Sequence, residues 1–161
     1  MAIAVGERLP EATFRVMDAD GIKALTTREV FGGKKVVVFA VPGAFTPTCH
    51  IKHLPGFIAK AAEFKRRGVD TVACIAVNDP FVLSAWEESS GAKGKVLLLS
   101  DGNAEFTRKI GMDFDGSGIG LGTRSKRYAA LVEDGVVKAL NVEESPGVAV
   151  ESTAEKILES L

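Results

Sequence analysis

The sequence predicts an α/β fold, a central mixed β-sheet flanked by helices. Three observations carry that reading. Residues 35–41 (KVVVFAV), 71–77 (TVACIAV) and 95–100 (KVLLLS) are continuous apolar runs of strand length, the pattern of strands buried on both faces. Between them the apolar residues switch to helical spacing. Towards the C-terminus two further strand-like runs flank Glu133-Asp134-Gly135, a hairpin signal. Alternating strands and helices give parallel neighbours and a hairpin gives antiparallel ones, so the sheet is mixed.

Each element has a local reason. The first apolar run ends at Pro42, which has no N–H to give a ladder. Residues 57–67 (FIAKAAEFKRR) place Phe57, Ile58, Ala61, Ala62 and Phe64 at helical spacing. Basic residues close that segment, complementing the helix dipole, and Gly68 follows as the C′ stop. Residues 80–89 and 103–110 read as shorter helices, and 127–132 and 136–142 as the hairpin strands. The tail opens with Ser152-Thr153-Ala154-Glu155, a capping box, and Ile157, Leu158 and Leu161 supply its apolar face. No repeat, linker or low-complexity stretch divides the chain, so residues 1–161 read as one domain.

Composition excludes several classes of function. A chain of 161 residues, 46% of them hydrophobic, has material for a full core and needs no disulfide staples. Twenty Lys and Arg against twenty-one Asp and Glu leave a net charge of −1. That balance argues against nucleic-acid binding and offers no polybasic attraction to membranes. No apolar run approaches the roughly 20 residues of a membrane span. Residues 1–10 (MAIAVGERLP) lack the basic and apolar regions of a signal peptide. With only two cysteines, the expected location is the cytoplasm or a similarly reducing compartment.

The most informative segment is residues 41–53 (VPGAFTPTCHIKH). Pro42-Gly43 ends the strand. With Thr46 as N-cap, Pro47 falls at the first helical position, where its missing N–H costs nothing. Thr48 and Cys49 then occupy the second and third positions. A free thiol titrates near ~8.5, and a helix N-terminus favours the thiolate, so Cys49 is placed to be reactive. Cys74 sits inside TVACIAV, where burial favours the neutral thiol and packing is its expected role.

Rival motifs fail on particular residues. Thr46-Pro47-Thr48-Cys49 has the spacing of a CxxC redox pair but begins with Thr46, and the same missing thiol excludes haem attachment through Cys49-His50. Cys49, His50 and His53 lack further ligands for a metal site, so no metal is expected. His53 lies one helical turn from Cys49, a spacing suited to tuning the thiol rather than to a protease pair. The glycines at 116, 118, 120 and 122 follow no strand and lack GxGxxG spacing, so a loop is expected there.

With these residues in view, VPGAFTPTC resembles the active-site segment of peroxiredoxins, whose pattern Pro-x-x-x-Thr/Ser-x-x-Cys falls here on Pro42, Thr46 and Cys49. The fuller string, followed by His53-Leu54-Pro55-Gly56-Phe57, resembles the peroxiredoxin 5 or type II subfamily. Val77-Asn78-Asp79-Pro80-Phe81, Leu99-Ser100-Asp101-Gly102 and Gly122-Thr123-Arg124-Ser125-Lys126-Arg127-Tyr128 extend the likeness along nearly the whole chain.

The resemblance implies a thioredoxin-like fold and an antioxidant peroxidase, without cofactor, acting on hydrogen peroxide and organic hydroperoxides. It implies Cys49 as the attacking cysteine, Thr46 as its hydroxyl partner, Pro42 as a shield and Arg124 as the arginine brought to the thiolate. Arg127 is the nearest competitor for that last place and stays outside the expected set. Gly43, Phe45, Thr48 and His53 are expected to line the substrate pocket.

Oxidation would leave a sulfenic acid on Cys49. Residues 145–152 contain no cysteine to resolve it, whereas Cys74 matches the second cysteine of plant-like type II members. From a buried strand Cys74 would need local unfolding to reach Cys49. The expected reductant is therefore an external thiol, glutathione with glutaredoxin or else thioredoxin. Homodimerisation through loops around the active site is also implied, with Pro42–Phe45 and Phe81 as the apolar candidates. Two other classes stay open: a redox sensor or disulfide carrier of the same fold, and a binding domain in which Cys49 is incidental.

Overall fold

The computed structural model describes residues 2–161. An antiparallel ribbon comes first, β1 (Thr13–Asp18) and β2 (Gly21–Thr26), in register from Thr13↔Thr26 to Asp18↔Gly21. The sequence expectations do not include it. Only Phe14 of β1 is fully buried and β2 buries no residue completely, so neither strand carries an apolar run. A short helix α1 (Thr27–Phe31) follows, held by a capping box between Thr26 and Glu29.

β3 (Lys35–Val41), α2 (Leu54–Arg66), β4 (Thr71–Ala76), α3 (Pro80–Ser90) and β5 (Leu97–Ser100) form the expected alternation. The expected Gly68 stop has φ of +89°, a conformation glycine adopts without a Cβ clash. Asp79 caps α3 by accepting from the Val82 N–H. Then come α4 (Glu105–Lys109), the small strands β6 (Asp113–Asp115) and β7 (Thr123–Ser125), the hairpin β8 (Tyr128–Glu133) and β9 (Val136–Val142), and α5 (Ala154–Leu158). Asp134 and Gly135 turn that hairpin, both at positive φ as a two-residue turn requires.

Seven strands pair in the order β2-β1-β5-β4-β3-β8-β9. β3, β4 and β5 are mutually parallel and the other neighbours antiparallel. Alternation along β3 divides the core. Val37, Phe39 and Val41 face α2, α3 and α5, whereas Val36, Val38 and Ala40 face α1 and α4. Cys74 stands opposite Phe39 across the β3–β4 pair, and both belong to the α2 side together with Cys49.

Two local expectations are corrected. The glycine series is a loop, as expected, but it does follow a strand: it forms the tip of the β6–β7 hairpin, closed by the Gly116 N–H donating to the Gly122 carbonyl. The tail cap is Thr153, which accepts from the Lys156 N–H, because the Ser152 hydroxyl donates instead to buried Glu143.

Candidate active site

The site is built where β3 ends. Ala44 is anchored by donating its N–H to Asn78 Oδ1 at 2.9 Å. Phe45 adopts φ of +65°, a left-handed conformation uncommon for a residue with a Cβ. Its ring lies 5.7 Å from the His50 ring and 6.4 Å from Trp86, and 47% of the residue stays exposed. The Thr46 hydroxyl donates to the Gly43 carbonyl at 2.7 Å, leaving its lone pairs as acceptors.

A helix starts at Pro47, as the Thr-Pro pair predicts, and the His50 N–H closes its first turn on the Thr46 carbonyl. Cys49 is therefore in the first turn, where backbone N–H groups lack intrahelical acceptors. The helix then widens. Residues Cys49–His53 form a π turn, with the Leu54 N–H donating to the Cys49 carbonyl, before α2 continues as a regular helix. Cys49 is wholly buried.

Arg127 is the group that meets the sulfur. Its Nη2 donates to Cys49 Sγ at 2.9 Å, and its Nη1 donates to His53 Nδ1 at 2.8 Å. The Pro146 carbonyl accepts from both Nε and Nη2, at 3.1 and 3.0 Å. The residue is 2% exposed. Strand parity explains its heading. Tyr128 faces the α1 side, so Arg127, one residue earlier, points with Ala129 and Leu131 into the α2 side that holds Cys49.

Arg124, expected at the thiolate, is corrected by this geometry. It belongs to β7, opposite Phe114, and clasps the loop instead, donating from Nε to the Leu121 carbonyl and from Nη1 to the Pro42 carbonyl. Gly43 makes room for that clasp, since a Cβ there would come within 2.8 Å of Arg124 Nη1. Pro42 itself is buried at the strand end. The sequence expectation sets Arg127 aside as the nearest competitor; what decides for it is the register of β8 against β3, which no local pattern displays.

Thr48 and His53, two of the expected pocket residues, sit beside Cys49 with their polar groups already engaged. Thr48 donates its hydroxyl to the Gly147 carbonyl at 3.0 Å. His53 is buried between Phe39 and Phe57, with ring centroids 4.9 and 5.6 Å away. Its Nε2 lies 2.8 Å from the Ser152 carbonyl, which can only accept, so the ring is neutral with its proton on Nε2 and its Nδ1 free to accept from Arg127. His50 points away, its Nδ1 accepting from Trp86 Nε1.

Burial is the main cause that holds the His53 pKa down to about 4, with the nearby Arg127 charge acting in the same direction. Unfolding restores an ordinary imidazole near 6.5, so below that pH the unfolded chain binds the extra proton. His53 is thus expected to leave stability untouched above pH 6.5 and to lower it as pH falls towards 4, by about 3 kcal/mol at most. Urea unfolding across that range checks this, and a His53→Gln protein that kept the same pH slope would assign it elsewhere. Cys74, wholly buried beneath the site, has its thiol pushed well up, chiefly by burial and next by neighbouring Cys49.

Comparison with known proteins gives the geometry a context. The family described as Redoxin matches residues 4–158. The chain is 56% identical to "Peroxiredoxin-2E-2, chloroplastic" of Oryza sativa subsp. japonica, over 99% of this chain and 72% of that protein. It is 44% identical to "Peroxiredoxin-2B" of Arabidopsis thaliana, over 99% and 98% of the two chains. Among solved structures, reduced Prx3 in complex with h2o2 from Vibrio vulnificus superposes with a TM-score of 0.93 at 47% identity, covering 98% of each chain.

Proposed function

The chain belongs to the peroxiredoxins, thiol-dependent peroxidases with a thioredoxin-like fold, and from that premise we propose that Cys49 attacks the peroxide with Arg127 at its side. The observation that carries the assignment is the 2.9 Å contact from Arg127 Nη2 to Cys49 Sγ in a buried site. A guanidinium stays charged and presents several fixed donors, so it can hold the sulfur and stabilise charge on a departing oxygen. Thr46, with its proton given to Gly43, is oriented to accept the peroxide O–H.

The Cys49 thiolate forms a bond to one peroxide oxygen and the O–O bond breaks. The electron pair leaves on the distal oxygen, which takes a proton to become water or an alcohol. Cys49 is oxidised to sulfenic acid. An external thiol then attacks that sulfur, releasing water and forming a mixed disulfide, and a second thiol frees Cys49 as the thiol.

For the second half-reaction we favour glutathione with glutaredoxin, or thioredoxin, over Cys74. Support comes from the burial of Cys74 in β4 and the upward push on its thiol, which leaves little thiolate to attack. Two free cysteines suit a reducing compartment such as the cytoplasm. Pairing of two copies through exposed Phe45 and Phe81, readable by sedimentation, belongs to the same proposal.

Turnover with hydrogen peroxide and with an alkyl hydroperoxide, each paired separately with glutathione plus glutaredoxin and with thioredoxin, tests the reading. At least one pair is expected to sustain turnover, and Cys74→Ser should keep it within about twofold, as a buried residue outside the chemistry would. Loss of turnover in Cys74→Ser would make Cys74 the resolving thiol. No turnover with any pair, alongside a single peroxide-consuming event, would favour a sensor.

A further inference from the structure

Glu143 is a buried carboxylate that the peroxidase chemistry leaves unused. It is 7% exposed and follows β9, where its backbone N–H donates to the Arg127 carbonyl and extends the β8–β9 ladder by one pair. Its Oε2 accepts from the Val150 N–H at 2.8 Å, the Ser152 N–H at 2.6 Å and the Ser152 hydroxyl at 2.6 Å. One side chain thus closes the segment between residues 143 and 152 on itself.

That segment has no helix or strand, and most of residues 144–151 are exposed. Its backbone nevertheless meets three side chains around Cys49. The Pro146 carbonyl accepts twice from Arg127, the Gly147 carbonyl accepts from Thr48, and the Ser152 carbonyl accepts from His53. His53 in turn accepts from Arg127. An exposed loop has many conformations to lose, so its carbonyls hold a fixed place only if something ties the loop. A carboxylate accepting two N–H bonds and a hydroxyl is a strong tie.

We propose that Glu143 is a positioning residue for peroxide reduction: by pinning the 143–152 segment it holds the Pro146 and Ser152 carbonyls that orient Arg127, directly and through His53. The proposal rests on Arg127 being the group that assists Cys49. Turning a guanidinium away from the departing oxygen costs rate without removing the charge, since such donors act through placement.

The test is a double-mutant cycle on the reduced full chain, with Glu143→Gln, Arg127→Lys and the pair. Two rate constants are read for Cys49, one with hydrogen peroxide and one with iodoacetamide. Iodoacetamide has no O–O bond to break, so the ratio isolates the contribution from an oriented donor. Glu143→Gln is expected to lower that ratio about tenfold, and the double variant to fall no further than Arg127→Lys alone. A ratio within about twofold of the parent, or losses that multiply in the double variant, would overturn the proposal.

If Glu143→Gln fails to fold, Ser152→Ala removes one of the three bonds and is expected to move the ratio the same way by about two- to threefold. An unchanged ratio there would overturn it equally. Should Arg127→Lys itself keep the parental ratio, the assignment of Arg127 falls and takes this proposal with it. A loss in Arg127→Lys with none in Glu143→Gln rejects the positioning role alone.

Discussion

Replacing Cys49 with serine is expected to return peroxide consumption to the uncatalysed background, a loss on the order of 10⁴-fold or more. Serine keeps the size of the side chain and can still accept from Arg127, so the buried site stays filled and the fold is expected to hold. What disappears is the nucleophile, because a hydroxyl at neutral pH is neither ionised nor soft enough to attack an O–O bond. The variant still contains Cys74, so its residual rate bounds what the buried thiol can do by itself. Stopped-flow mixing of reduced protein with hydrogen peroxide measures both proteins directly. Equal, slow consumption by parent and variant would sink the Cys49 assignment.

Arg127→Ala is expected to lower the second-order rate constant with peroxide by roughly 10²–10³-fold, the usual cost of losing one oriented donor to a developing charge. Arg124→Ala should cost less than about tenfold, because its bonds go to the Leu121 and Pro42 carbonyls and its effect is indirect. Removing Arg127 also strips donors from Pro146, His53 and Cys49. Each buried acceptor left without a partner costs about 1–3 kcal/mol, so a melting curve must accompany the kinetics. Arg127→Lys separates the two effects, since it restores charge without the fork. Should Arg124→Ala prove as damaging as Arg127→Ala, the geometric distinction between the arginines would fail.

The two arginines also mark how far the sequence could be read. β3, β4 and β5 were legible because central parallel strands are apolar on both faces, and the β8–β9 turn because Asp134-Gly135 accepts positive φ. Cys49 was legible because Thr46-Pro47 starts a helix locally. Choosing between Arg124 and Arg127 needed the register of β8 against β3, which is set by residues some ninety positions away. The β1–β2 ribbon is not legible because β2 is the sheet edge and β1, though it lies between β2 and β5, buries only Phe14 fully, so neither strand carries an apolar run. The enclosure of His53 by Phe39 and Phe57 is set by packing between distant segments, which the sequence does not display. The tie from Glu143 to Val150 and Ser152 leaves no trace in composition or period, since it depends on how an irregular segment closes.

The π turn at Cys49–His53 has a consequence for how this site can change over time. One extra residue in a turn offsets everything before it by about 100° around the axis relative to an uninterrupted helix. The sulfur therefore takes its azimuth from the turn, while Leu54, Phe57 and Phe64 take theirs from the packing of α2. Substitutions that rotate or repack α2 can be absorbed at the wide turn before they swing Cys49 away from Arg127. Core and nucleophile share one helix but keep separate angular references, so each can drift without dragging the other along.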